Sequence, residues 1–95
     1  MDKNTILSYL KEHKEEFKHK YGVTKLALFG SYARDEANEN SDIDIAIEVI
    51  KTNFKNRISL QYFLEKELNK KIDLGYISTI RTSIKREIDK DIVYV

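Results

Sequence analysis

The sequence predicts an α/β or α+β sandwich, a small mixed sheet flanked by helices. Three observations predict it. Apolar residues at helical spacing open the chain, a short run apolar on both faces follows, and a strictly alternating segment comes next. These patterns recur to give the order α, β, short α, β, α, β, α. The 95 residues support one domain, 1–95, with no repeat, low-complexity stretch or linker. A domain this short buries roughly 60–70% of its unfolded-chain surface, so extra surface for a partner is a reasonable expectation.

Asp2 to Tyr21 reads as a helix. Ile6, Leu7 and Leu10, then Phe17 and Tyr21, recur at three- and four-residue spacing, and Lys11, Glu12, Lys14, Glu15 and Lys18 fill the other face. Asn4 or Thr5 is the expected N-cap and Gly22 the stop. His13 and His19 sit among these charges and are read as solvated surface groups. Val23 to Phe29 reads as a strand covered on both faces, through the run Leu26-Ala27-Leu28-Phe29. Gly30-Ser31 interrupts it, Tyr32 to Ala37 makes a short helical turn, and Asn38 to Ser41 is a polar loop. The short link requires the strands on either side of it to lie next to each other.

Asp42 to Ile50 is the clearest strand. Ile43, Ile45, Ile47 and Val49 have one parity, and Asp42, Asp44, Ala46 and Glu48 the other. Phe54 to Leu68 returns to helical spacing with a stripe of Phe54, Ile58, Leu60, Phe63, Leu64 and Leu68, and Asn69-Lys70-Lys71 suits its C-terminus. Lys71 to Ile77 is a short strand with Ile72, Leu74 and Tyr76 on one face and Asp73 on the other. Ser78 or Thr79 is the expected cap of a last helix, Ile80 to Ile88. Asp91 to Val95 is an extended apolar end that either closes a sheet edge or meets another chain.

Composition narrows the function. Seventeen basic and sixteen acidic residues leave a formal charge of +1, which argues against extended nucleic-acid binding. With no cysteine there is neither a disulfide scaffold nor a thiolate metal site, so a metal would be a hard cation on carboxylates, Mg²⁺ or Mn²⁺. No run of about 18 apolar residues and no signal-peptide core is present. A soluble cytoplasmic protein, free of membrane, is expected.

Two local patterns carry chemistry. A glycine at a strand-to-helix turn lets backbone approach a ligand, the amides around Ser31 favour an anion, and the Ser31 hydroxyl adds a donor. Asp42 and Asp44, two apart on one strand face, are within about 7 Å at the backbone, a gap that side chains close around one cation. Their mutual repulsion is useful where a divalent metal compensates it. Either pattern by itself is an ordinary turn or a wet strand face. Asp73, on another strand between Ile72 and Leu74, supplies the third carboxylate of a two-metal arrangement.

Gly30-Ser31-Tyr32-Ala33-Arg34 followed by Ser41-Asp42-Ile43-Asp44-Ile45 resembles the signature of the polymerase-beta-like nucleotidyltransferase superfamily. More narrowly, it is similar to the minimal nucleotidyltransferases of prokaryotes, the antitoxin partners of HEPN-domain ribonuclease toxins. The likeness continues through Lys71-Ile72-Asp73-Leu74 and the stretch from Ile88 to Val95. It implies the polymerase-beta-like nucleotidyltransferase fold. It also implies that Gly30 and Ser31 hold a nucleoside triphosphate and that Asp42, Asp44 and Asp73 are catalytic and bind Mg²⁺, two ions in all. Arg34 matches a recurrent arginine, for which a phosphate contact or a structural ion pair is expected. The implied activity is transfer of AMP from ATP to a hydroxyl of a partner HEPN toxin, a tyrosine being the family precedent, in an antitoxin role. One residue departs from the pattern. Glycine commonly follows the arginine, and here Asp35 does; aspartate tolerates a left-handed backbone better than most residues, but it adds negative charge beside a triphosphate. The alternatives are a non-catalytic antitoxin that neutralises by binding, then a small-molecule nucleotidyltransferase. The first would use the acids only structurally, and the second usually carries a further domain. Nucleic-acid polymerisation fits less well, given the charge.

Overall fold

In a computed structural model, which describes residues 1–83 and 91–95, the chain begins with helix α1, Lys3–Tyr21. Its N-cap is Asp2, whose carboxylate accepts the Thr5 N–H at 2.9 Å, in place of the expected Asn4 or Thr5. Asp2 has the extended backbone a cap needs, and Asn4 and Thr5 already lie within the first turn. Gly22, at φ +72, ends the helix and donates to the Lys18 carbonyl at 3.0 Å.

Strand β1, Val23–Phe29, leads directly into α2, Gly30–Ala33, four residues long. The short helix therefore starts and ends earlier than the expected 32–37. Strand β2 is Ile43–Val49, α3 is Phe54–Leu68, and β3 is Ile72–Tyr76. Asn53 caps α3 by accepting the Asn56 N–H, and Asn69 closes it in a left-handed conformation. Helix α4, Ile77–Ser83, springs from β3 with no intervening loop, so Ser78 and Thr79 lie inside it and are not its cap. Ile77 and Ile80, three apart, both bury against the sheet, and that draws the helix straight off the strand. The remainder of the expected helix, 84–88, lies outside the described residues. Strand β4, Val93–Tyr94, is an eighth element.

The sheet order is β3-β2-β1-β4. β1 is antiparallel to both β2 and β4, and β2 is parallel to β3, so the sheet is mixed. The apolar end closes the sheet edge. Tyr94 and Val93 pair with Ala27 and Leu28, and the Val95 N–H donates to the Leu26 carbonyl at 3.0 Å.

Strand alternation divides the interior between two faces. On one, Leu26, Leu28, Ile43, Ile45, Ile72 and Leu74 pack with Ile6, Leu10 and Phe17 of α1 and Leu60, Leu64 and Leu68 of α3. Each such side chain, fully buried, contributes about 1.5–3 kcal/mol. On the other, smaller face, Ala27, Phe29 and Ala46 meet Ile77 and Ile80 of α4, with Ile92 against them. Helix α3 also closes the outer edge of β3. Arg57, Gln61 and Glu65, four apart, reach the Leu74 carbonyl, the Ile72 carbonyl and the Ile72 N–H at 3.2, 3.1 and 3.1 Å. Backbone that would otherwise invite another strand is thereby occupied.

Two expected surface assignments change. Phe54 belongs to the outer face and not to the core stripe, being 71% exposed, because it stands at the first position of α3, before the turns that meet the sheet. Its ring lies under the Arg57 guanidinium, 5.5 Å from the centroid. His19 is solvated, whereas His13 is half-buried in a stack between Tyr9 and Phe17, with ring centroids 4.1 and 5.8 Å away. The four-residue spacing of Tyr9, His13 and Phe17 puts all three on one side of α1. Among the described residues, no helix is long and apolar enough to cross a membrane.

Candidate active site

Strand register assembles the site. Phe29 of β1 pairs with Asp44 of β2, and Asp44 pairs with Asp73 of β3, so the three form one row across the sheet. Residues in such a row share a face. For Phe29 and Asp44 it is the face that α4 covers further along, which leaves the carboxylates at its open end. Asp42 stands just ahead of β2 and interacts with Asp44 through its charge. A turn delivers the chain to Asp42. The Asn38 N–H donates to the Ser41 hydroxyl at 2.9 Å, and the Asn40 N–H to the Asn38 side chain at 2.8 Å. Ser41 thus serves the loop that precedes the acids.

Gly30 follows Phe29 at φ +75. A Cβ there would run into the Asp44 carboxylate, meeting its Cγ at 2.8 Å. Glycine is required on both counts, and its backbone lies directly against the acid. The turn then tightens: the Arg34 N–H donates to the Gly30 carbonyl at 3.2 Å and the Glu36 N–H to the Ser31 carbonyl at 2.9 Å. Asp35 has φ +58, a left-handed position where glycine has no steric cost and aspartate is tolerated.

Asp44 is half-buried, and its carboxyl is pushed up from an ordinary 3.8 to about 6. Burial is the main cause, followed by the charge of Asp73, a hydrogen bond shared with it, and the charge of Asp42; Arg34 acts in the opposite direction. This is a pair of acids held closer than two anions favour, the condition a bound cation relieves. Oxygen donors of this kind suit Mg²⁺. Among the described residues, no three His, Cys, Asp or Glu side chains converge as a ready-made metal cage. The acids share a face without closing around one point.

The Gly30 turn and the acids beside it form a shelf. Among the described residues, clefts of about 440 and 360 Å³ flank Tyr94 at the β4 edge, lined by Leu7 and Lys11 and by Lys14 and Lys25. Arg34 caps α2 and pairs with Asp91 at 3.3 Å and with Glu36 at 3.5 Å. Asp91 lies in the Ile88 to Val95 stretch of the resemblance, but nothing there marked it as a partner of Arg34, 57 positions away.

The family model for the nucleotidyltransferase domain matches residues 10–95. The chain belongs to the nucleotidyltransferase domain family. This nucleotidyltransferase is 43% identical over 94 residues to a predicted protein adenylyltransferase of Methanocaldococcus jannaschii, covering 95% of this chain and 94% of that one. It is 35% identical over 91 residues to the protein adenylyltransferase MntA of Thermococcus cleftensis, covering 95% and 92%. In structure it is similar to a chain in a toxin–antitoxin crystal structure with AMP-PNP. The TM-score is 0.70 at 23% identity, over 99% of this chain and 72% of that one, a likeness of fold.

Proposed function

We propose that this nucleotidyltransferase transfers AMP from ATP to a hydroxyl of a partner HEPN-domain ribonuclease toxin, a tyrosine in the family precedent, and thereby acts as its antitoxin. The observation that carries this reading is the Gly30 backbone lying against Asp44 while Asp73 stands in register beside it. On this reading the turn meets the phosphates and the acids beside it meet the cation. The names of the adenylyltransferase relatives support AMP and a protein acceptor.

Asp42, Asp44 and Asp73 would hold the Mg²⁺, two ions in the resemblance. When bound, the metal supplies charge neutralisation at the phosphates and a more acidic acceptor hydroxyl. Gly30 leaves room for the Asp44 carboxylate to lie against the turn, the amide and hydroxyl of Ser31 orient the triphosphate, and Arg34 offsets part of its charge. With the phosphates held, the acceptor oxygen approaches the α-phosphorus in line. A new oxygen–phosphorus bond forms as the bond to the α,β-bridging oxygen breaks. Pyrophosphate leaves with that electron pair, and the hydroxyl proton leaves to solvent.

The test combines the protein, Mg²⁺, ATP labelled in the adenine and the product of the neighbouring gene. Label is expected on that product with wild type and none with Asp42→Ala/Asp44→Ala. If wild type transfers no label and the double variant still neutralises the toxin, the protein acts by binding instead. Stabilisation by ATP with Mg²⁺ is expected in wild type and lost in Asp73→Asn.

A further inference from the structure

Arg34 is a flexible, exposed side chain at the end of a four-residue helix, yet its guanidinium is held at two points. Nη1 donates to Asp91 Oδ2 at 3.3 Å and Nε to Glu36 Oε2 at 3.5 Å. Glu36 is only two residues away and belongs to the same loop. Asp91 comes from the far end of the chain, and the fold anchors the two residues that follow it. Ile92 packs on Phe29, Ala46 and α4, and Val93 pairs with Leu28. Phe29, the next residue of β1, pairs with Asp44 on its other side. The end of β1 therefore stands between the shelf acids and the segment that carries Asp91, and Arg34 spans the two. Its charge reaches Asp44.

We propose that Asp91 is a positioning residue that holds the Arg34 guanidinium at the shelf, as the cationic contact for the triphosphate of the incoming nucleotide. This rests on the reading of the shelf as a nucleotide site. An arginine loses much rotamer entropy when it is fixed, so one already held gains more from a phosphate contact than a free one. Among the described residues, two of its five N–H donors are engaged, by Asp91 and Glu36, and the others are the ones a phosphate would use. The Asp91 hydrogen bond also raises the Arg34 pKa, so the charge is secure. On this reading β4 closes the sheet and also carries part of the nucleotide site into place.

The test is the affinity for AMP-PNP with Mg²⁺, by calorimetry, across wild type, Asp91→Asn, Asp91→Glu, Arg34→Gln and the Arg34→Gln/Asp91→Asn double variant. Asp91→Asn is expected to weaken binding about three- to tenfold. Asp91→Glu should restore most of it, and Asp91→Asn should have no further effect once Arg34 is Gln. In the transfer assay the loss is expected in KM for ATP and not in kcat. Thermal denaturation of each variant separates loss of the folded protein from loss of affinity. Unchanged or tighter binding in Asp91→Asn, or losses that multiply in the double variant, overturns the proposal. Equal wild-type affinity in Asp42→Ala/Asp44→Ala overturns instead the reading of the shelf on which it rests.

Discussion

Replacing Asp44 with Asn is expected to make the metal-free protein more stable while abolishing transfer. The Asp44 carboxyl is pushed up to about 6 from 3.8. The folded protein thus binds that proton more tightly than the unfolded chain does. The associated stability is fully present below pH 3.8 and is lost as the pH rises through 6. About two pH units correspond to ~3 kcal/mol for a fully shielded group. Asp44 is only half-buried, so solvent screening reduces this to about 1 kcal/mol. Asn never ionises and escapes the loss. In EDTA at pH 8, Asp44→Asn should melt roughly 4–8 °C above wild type. The advantage should fade between pH 7 and pH 4, where wild type takes up its proton. Thermal denaturation by circular dichroism at several pH values is the assay. Melting at or below wild type at pH 8, or an advantage equally large at pH 4, would refute the burial and mutual repulsion assigned to Asp44.

Gly30→Ala places a Cβ against the Asp44 carboxylate at a positive φ, so a loss of at least about 2 kcal/mol in urea denaturation is expected. In an Asp44→Ala background the steric part of that loss should vanish and the backbone part remain. Asp35→Gly relieves the left-handed backbone at φ +58, and a gain of about 0.5 kcal/mol by the same measurement is expected. Leu64→Ala empties a fully buried position beneath the sheet and should cost about 2–5 kcal/mol, enough to leave much of so small a domain unfolded at 37 °C. Glu65→Ala frees the Ile72 N–H at the β3 edge, and light scattering should report concentration-dependent association absent from wild type.

Much of the fold was legible because its signals are local. The spans of β1 and α3 follow from an apolar run and a helical apolar stripe, bounded by Gly22, Gly30, Asn53 and Asn69, residues that cap or break an element through their own backbone preferences. The short α2 was misplaced because a four-residue helix has too few positions to show a period. The start of α4 was misplaced because Ile77 fits a strand pattern and a helix pattern equally well, and only burial against Phe29 and Ala46 selects the helix. Phe54 was assigned to the core by spacing, which does not reveal that the first residue of a helix projects past the sheet it packs on.

The site divides in the same way. The spacing of Gly30-Ser31 from Asp42 and Asp44 is a property of the sequence, since a short link between two strands requires the turn and the acids to end up together. The partnership of Asp44 with Asp73 depends on the parallel register of β2 and β3, and that of Arg34 with Asp91 on the return of β4 to β1. Residues so far apart meet only because buried faces choose one strand register out of many, and that choice is made by the whole core. The sequence by itself determined most of the elements and marked Gly30, Asp42, Asp44 and Asp73 as candidates for one site. Only the tertiary structure decided the register that sets Asp73 beside Asp44 and the return of β4 that brings Asp91 to Arg34, because buried faces across the whole core select both.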